Sequence, residues 1–132
     1  MTTHPIDRWH ALARKHDAAG LDELLAEDAV FLSPIVHTPQ RGKAVCKAYL
    51  SAAFEVFFQP SFRYVREIRG LSDAMLEFET EIAGIAVNGV DIIRWNDAGR
   101  IVEFKVMVRP LKAIQIVHER MAAMLQAAAT KG

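Results

Sequence analysis

The spacing of apolar residues changes along the chain, and this change constrains the fold more than any other feature. Between residues 62 and 109 apolar residues recur at every second position, whereas on either side they recur every three or four. The period of two predicts strands over residues 62–69, 74–82, 86–95 and 100–109. Because short segments join them, consecutive strands must run antiparallel, which excludes a doubly wound parallel sheet.

Helical spacing on both sides of this region predicts the remaining elements. Helices are expected over residues 5–18, 21–26 and 42–57, with a short strand at residues 29–33, and a last helix begins at Pro110. Proline is favoured in a first helical turn, which suits both Pro5 and Pro110. Grouped helices around a run of antiparallel strands favour an α+β domain, with the helices on one face of a curled sheet.

Two turns compete between the second and third of these four strands. Asn88-Gly89 is typical of a tight hairpin, but a turn there would leave a short strand opposite a much longer one. A turn near Gly84 gives strands of matched length and makes Asn88-Gly89 a bulge. We therefore predict the turn at Gly84.

The composition indicates one globular domain spanning residues 1–132 and argues against binding to polyanions. Apolar residues make up 52% of the chain and charged residues 24%, which suits a packed core. Sixteen Lys and Arg balance sixteen Asp and Glu, so we expect no nucleic-acid or membrane partner. With Cys46 as the lone cysteine and no apolar leader or membrane span, a cytoplasmic location is expected.

Two segments carry a resemblance to a known family. Residues 25–45, LAEDAVFLSPIVHTPQRGKAV, and residues 90–110, VDIIRWNDAGRIVEFKVMVRP, resemble the nuclear transport factor 2-like superfamily, in particular SnoaL-like proteins and ketosteroid isomerases. The resemblance implies a cone-shaped, curved antiparallel sheet with N-terminal helices on its concave face, plus a C-terminal helix. Such a fold encloses a pocket, and it hosts isomerases, dehydratases, cyclases and proteins without catalytic activity.

The resemblance to the isomerases carries over at one of three catalytic positions. Their oxyanion-hole aspartate falls on Asp91, but their general base falls on Ser33 and their oxyanion-hole tyrosine falls near Leu12. The epoxide-hydrolase pattern requires an aspartate late on the final strand, and residues 104–108 contain no carboxylate. The resemblance therefore implies a pocket and leaves the reaction open.

Asp91 is the leading candidate for a catalytic residue. Strand alternation places Asp91, Ile93 and Trp95 on one face, which the resemblance makes the concave face. A carboxyl group on an apolar surface tends to stay protonated, so Asp91 could donate a hydrogen bond to a ligand oxygen. The alternative is a structural aspartate that pairs with Arg66 or with a backbone amide.

Histidine is the candidate partner of Asp91 in catalysis, and the alternative for His37 is an ordinary histidine on a surface loop. His37 lies on the loop before the third helix, and His16 on the inner face of the first, so either could supply the missing base. The five histidines, at positions 4, 10, 16, 37 and 118, lack metal-ligand spacing. No metal or other cofactor is therefore expected.

The sequence also predicts the pocket wall and three possible functions. The predicted lining residues are mostly aromatic: Trp9, Phe31, Ser33, Tyr49, Phe54, Phe78, Trp95 and Phe104, with His16 as a further ligand contact. The domain could be an isomerase, dehydratase or cyclase acting on a small apolar molecule, a non-catalytic binder of such a molecule, or a dimerisation module with a filled core. A homodimer through the convex sheet face is expected from the resemblance, with Met121 and Met124 adding to the contact.

Overall fold

A computed structural model describes residues 4–131; residues 1–3 and 132 of the predicted domain lie outside that range. The elements, in chain order, are α1 (Pro5–Lys15), α2 (Leu21–Leu24), β1 (Leu25–Leu32), β2 (Gln40–Arg41), α3 (Lys43–Phe57), β3 (Arg63–Arg69), β4 (Asp73–Ile82), β5 (Ile85–Trp95), β6 (Ile101–Arg109) and α4 (Leu111–Lys131). The predicted α+β fold is confirmed. The two-residue strand β2 was not predicted.

The described strands form one curved sheet in the order β2-β1-β6-β5-β4-β3. The pairs from β3 to β6 are antiparallel, as predicted, but β1 lies parallel to β6. The sheet is therefore mixed rather than purely antiparallel. The parallel pair is possible because α3 and the strands β3 to β5 lie between β1 and β6 in the chain, and this connection is long enough for a crossover.

The β4–β5 hairpin turns at Ala83-Gly84, which confirms the turn predicted near Gly84. Both turn residues have positive φ, 51° at Ala83 and 80° at Gly84, as tight hairpin turns of this twist require. The predicted bulge at Asn88-Gly89 is wrong, because the register runs without a shift from Ile82 opposite Ile85 to Asp73 opposite Arg94.

The start of β1 also differs from the prediction. Residues 25 and 26 were expected in the second helix, but α2 ends at Leu24, and Leu25 pairs with Ile101 on β6. Leu24 and Leu25 are both fully buried. Pairing with β6 and burial at the sheet end thus outweigh the helical preference of these residues.

The core lies between the concave face of the sheet and the helices. Alternate residues of β4, β5 and β6 point into it, and α3 and α4 pack over them. Met121 of α4 is buried in this core, so little of its surface is open to a dimer contact. Within the described residues, no helix is both long enough and apolar enough to span a bilayer.

The convex face of the sheet combines ion pairs with exposed methionines. Arg63 pairs with Glu79 and Arg66 with Glu77 across β3 and β4. Met107 on β6 is 50% exposed and Met75 on β4 is 44% exposed. This face therefore presents charged and apolar side chains together.

Candidate functional site

A cavity of about 190 Å³ lies between the concave face of the sheet and the helices α1, α3 and α4. Its wall is almost entirely aromatic or aliphatic, and its polar lining residues, apart from the Trp9 indole, are Ser33, Tyr49, Asp91 and His118. A dry cavity of about 150 Å³ with similar walls is large enough to bind benzene. This cavity therefore has room for a small ring compound, which argues against a filled core.

Asp91 lies on the inner face of β5 and is 6% exposed. Burial raises the pKa of its carboxyl group from an ordinary 3.8 to about 7, and a hydrogen bond from Tyr64 partly offsets the rise. Within the part of the chain that the structure describes, the Asp91 carboxyl group has no ion pair and no hydrogen bond other than the one from Tyr64. Its other oxygen, Oδ1, is therefore available to a molecule in the cavity.

Two hydrogen bonds, one after the other, connect the Asp91 carboxyl group to Trp9 through Tyr64. The Trp9 indole Nε1 donates to the Tyr64 hydroxyl at 2.9 Å, and that hydroxyl donates to Asp91 Oδ2 at 2.8 Å. Burial and the negative charge of Asp91 hold the pKa of Tyr64 well above its usual 10.0, so Tyr64 keeps its proton. The chain of donors fixes the orientation of the carboxyl group and leaves Tyr64 no proton for a ligand.

The strand register explains how Tyr64 reaches Asp91 across an intervening strand. Tyr64 on β3 is opposite Phe78 on β4, which is opposite Gly89 on β5. A Cβ atom at Gly89 would lie 2.4 Å from Phe78 Cζ and 2.8 Å from the Met107 carbonyl oxygen. The absence of a side chain at Gly89 therefore leaves room for the Phe78 ring beside β5.

The alternative pairing of Asp91 with Arg66 is wrong. Arg66 lies on the convex face, where its Nε is 3.3 Å from Glu77 Oε1. A shift in the β3–β4 register between Tyr64 and Arg66 puts the tyrosine on the inner face, while the arginine stays outside. Asp91 is thus a buried carboxyl group with a raised pKa that accepts a hydrogen bond from the Tyr64 hydroxyl, and it is not part of an ion pair.

Most of the predicted lining residues lie along the cavity. Six of the nine residues that the sequence singled out are on its wall: Trp9, Phe31, Ser33, Tyr49, Phe78 and Phe104. Phe54 and Trp95 are buried elsewhere and do not line the cavity. Phe54 packs between Trp9 and His16, and Trp95 packs edge-on against His4 near the end of the sheet.

Neither predicted histidine is brought together with Asp91. His37 is exposed on the loop between β1 and β2, in a shallow outer groove beside Pro34, Pro39 and Lys105. His16 ends α1 with a left-handed φ of 53°, and its Nδ1 lies 3.3 Å from Glu55 Oε1. Because α1 stops there, the His16 ring turns away from the cavity and stacks on Phe54. His16 therefore does not line this cavity.

Ser33 lies on the cavity wall but is poorly suited to the role of base. Its Oγ accepts hydrogen bonds from the backbone N–H groups of Ile35, at 3.0 Å, and Val36, at 3.4 Å. These bonds organise the loop after β1, and a neutral hydroxyl is a weak proton acceptor. Ser33 can still donate its own proton into the cavity.

Sequence reasoning missed two residues of the site. Tyr64 belongs to a predicted strand, but only the pairing of three strands shows that it reaches Asp91. His118 lies four residues after Ile114 and four before Ala122, on the edge of the apolar stripe of α4, and it lines the cavity beside Val117 and Met121. The stripe could have suggested its position.

In the described residues, no cluster of His, Cys, Asp or Glu is arranged to hold a metal ion.

With this geometry in view, comparison with known proteins places the chain in a family. The profile of the SnoaL-like domain matches residues 6–104. The chain belongs to the SnoaL-like family. This confirms the resemblance inferred from residues 25–45 and 90–110.

Solved structures of SnoaL-like and related proteins agree with this assignment. A steroid delta-isomerase from Pseudomonas aeruginosa is 36% identical, with a TM-score of 0.89 over 96% of this chain and 92% of that one. An uncharacterized cystatin-like protein from Silicibacter pomeroyi is 31% identical, with a TM-score of 0.87 over 96% and 88%. An NTF2-like protein of unknown function from Mesorhizobium loti is 28% identical, with a TM-score of 0.69 over 80% and 88%. Comparison with curated proteins gave no match.

Proposed function

We propose that this SnoaL-like protein binds a small, mainly apolar carbonyl compound in its cavity and acts on it as an isomerase-type enzyme. The observation that carries the proposal is the position of Asp91, the one carboxyl group among the residues that line this mainly apolar cavity. Burial holds its pKa at about 7, so a large share of it is neutral at physiological pH. A neutral carboxylic acid can donate a hydrogen bond to the ligand's oxygen.

The chemistry follows from where charge develops when a carbonyl compound isomerises. Removal of a proton beside the carbonyl group moves negative charge onto its oxygen. A donor that is already oriented toward that oxygen stabilises the charge without reorganising. Tyr64 fixes Asp91 through Oδ2, and so Oδ1 can carry the proton that faces the cavity.

The relatives support an isomerase-type reaction and suggest a class of substrate. The Pseudomonas aeruginosa relative is described as a steroid delta-isomerase, a protein whose substrates are fused-ring compounds. The apolar wall suits such rings, and the volume of about 190 Å³ accommodates the part of a ligand next to Asp91. We therefore propose unsaturated cyclic ketones as the first compounds to test.

A non-catalytic binder is the second candidate function, and one observation favours it. The position of the isomerase base is occupied by Ser33, which cannot readily accept a proton. A protein with the donor Asp91 but no base would hold a carbonyl compound without converting it. The experiment must therefore measure binding and turnover separately.

Binding is measured with 2-naphthol, whose aromatic hydroxyl resembles the enol of a cyclic ketone, through its change in fluorescence. We expect the wild type to bind it and Asp91→Asn to bind it more weakly. Asp97→Asn serves as the matched control, because Asp97 is exposed in the β5–β6 turn. Equal affinity in all three proteins, or none in the wild type, would refute the role of Asp91.

Turnover is measured with a β,γ-unsaturated ketosteroid, whose conversion to the conjugated ketone raises its ultraviolet absorbance. Conversion that depends on Asp91 supports the isomerase. Binding of 2-naphthol without conversion of the steroid or of smaller unsaturated ketones favours the binder.

A further inference from the structure

The inner wall of the cavity that α4 provides contains an unassigned polar group. The lining residues of this helix are Val117, His118, Met121, Ala122 and Leu125. Neighbouring members of this set are one, three or four residues apart, so they lie along one face of the helix. Four of the five are apolar. The imidazole of His118 is therefore the one polar group that α4 contributes to the cavity wall.

We infer that His118 is the proton acceptor of this site, the group that removes a proton from a carbonyl compound held by Asp91. The inference rests on the proposed function and adds to it the base that the Ser33 position lacks. α4 lies beyond residues 6–104, the part matched by the SnoaL-like profile. The base is thus assigned to a segment that the family comparison does not describe.

Elimination among the lining residues supports this assignment. Of the polar groups on the wall, Ser33 and Tyr49 have hydroxyls, which are weak bases, and the Trp9 N–H is already bound to Tyr64. Asp91 is occupied as the acid. His118 alone among these lining residues carries an imidazole, the side chain most often used as a general base.

The position of His118 also determines what happens to the proton. Asp91 is buried at the sheet, whereas His118 is exposed to solvent while lining the same cavity. The carbon–hydrogen bond beside the carbonyl breaks, its electron pair forms the carbon–carbon double bond, and the proton goes to a ring nitrogen of His118. The π electron pair of the carbonyl group moves onto its oxygen, which accepts the Asp91 proton to give the enol. The imidazolium exchanges that proton with water before it returns one to carbon, so the product acquires hydrogen from the solvent.

The test uses 2-tetralone in deuterium oxide, with replacement of the protons beside its carbonyl followed by NMR, together with 2-naphthol binding. We expect the wild type to catalyse the replacement and to bind 2-naphthol. His118→Gln should slow the catalysed replacement by roughly a hundredfold or more, while 2-naphthol affinity is kept. His37→Gln is the matched control, because it removes an exposed imidazole outside the cavity, and it should behave as the wild type.

A rescue experiment separates chemistry from packing. His118→Ala should lose the catalysed replacement and regain part of it when imidazole is added to the solution, since His118 is open to solvent.

Each outcome bears on a specific claim. A wild type that does not bind 2-naphthol overturns the proposed function and this inference with it. Binding without catalysed replacement overturns the inference and favours a binder. Catalysed replacement that survives in His118→Gln overturns the inference alone. Loss of 2-naphthol binding in His118→Gln shows a packing role and overturns it too.

Discussion

Replacing Asp91 with Asn tests the central claim about the site, because the amide keeps the shape of the carboxyl group and cannot ionise. In either protein the side-chain oxygen can accept the hydrogen bond that Tyr64 donates at 2.8 Å to Oδ2. The variant therefore differs from the wild type mainly in the cost of burying a negative charge. That cost depends on pH, whereas a packing defect would not.

The size of the effect follows from the pKa of Asp91. A rise from 3.8 to about 7 corresponds to about 4 kcal/mol, at about 1.4 kcal/mol per pKa unit. Because the pKa is raised in the fold, the protonated form favours folding. The contribution is complete below the unfolded pKa of 3.8 and is lost as pH rises through about 7.

Urea unfolding followed by tryptophan fluorescence, from about pH 5 to about pH 9, measures this difference. We expect Asp91→Asn to be more stable than the wild type by up to about 4 kcal/mol at the alkaline end, with a smaller gap at the acid end. Asp97→Asn, in the exposed β5–β6 turn, controls for the general effect of removing a charge.

Two results would refute the reasoning. A variant less stable than the wild type at neutral pH would mean that Asp91 is ionised and paired in the fold, since breaking a buried charge pair is strongly destabilising. A difference that stays constant across the pH range would mean that Asp91 does not titrate in it.

Three further changes test other parts of the structure. Tyr64→Phe should reduce the free energy of unfolding by about 1–3 kcal/mol, because it leaves buried polar groups unpaired. It should also raise the pKa of Asp91 further, because the hydrogen bond from Tyr64 partly offsets the rise caused by burial. Urea unfolding measured across pH reports both effects. Gly89→Ala should cost about 1–3 kcal/mol by overpacking, because its Cβ would meet the Phe78 ring, and it should weaken 2-naphthol binding. We propose that the chain dimerises through the convex face, so Met107→Lys, which places a charge on an exposed apolar position, should yield a monomer by light scattering.

Each of these has a result that contradicts it. Unchanged stability of Tyr64→Phe would show that its hydroxyl is not bonded as described. Full stability of Gly89→Ala would mean that the Phe78 ring can move aside freely. A monomer mass for the wild type at tens of micromolar, or an unchanged dimer in Met107→Lys, would reject the convex face as the interface.

The fold was accessible from the sequence because alternation and helical spacing are local properties. Each predicted strand of the meander is present, and so is the turn at Gly84, since matched strand lengths depend only on residue counts. The parallel pairing of β1 with β6 was missed because it depends on how distant segments meet. The extended start of β1 was missed for the same reason, since Leu25 is held by Ile101.

The candidate site was only partly accessible for similar reasons. Alternation placed Asp91 on the inner face, but no local pattern shows that Tyr64 supports it from two strands away. His16 and His37 were chosen from their neighbours in sequence, yet the end of α1 and the course of a loop decided where they point. His118 was passed over because an apolar stripe draws attention to its apolar members.

The cavity is lined by the sheet on one side and by α4 on the other, so substitutions on the two sides have different effects. Asp91 lies on β5, which is paired with a strand on each side, so a substitution there disturbs neighbours on both sides. Its donors lie on the edge strand β3 and on helix α1. Val117, Ala122 and Leu125 shape the opposite wall from one helix that follows the last strand. Exchanging these three side chains alters the volume and shape available to a ligand while the polar centre stays in place. An engineer who wants a different ligand range should therefore diversify this helix first.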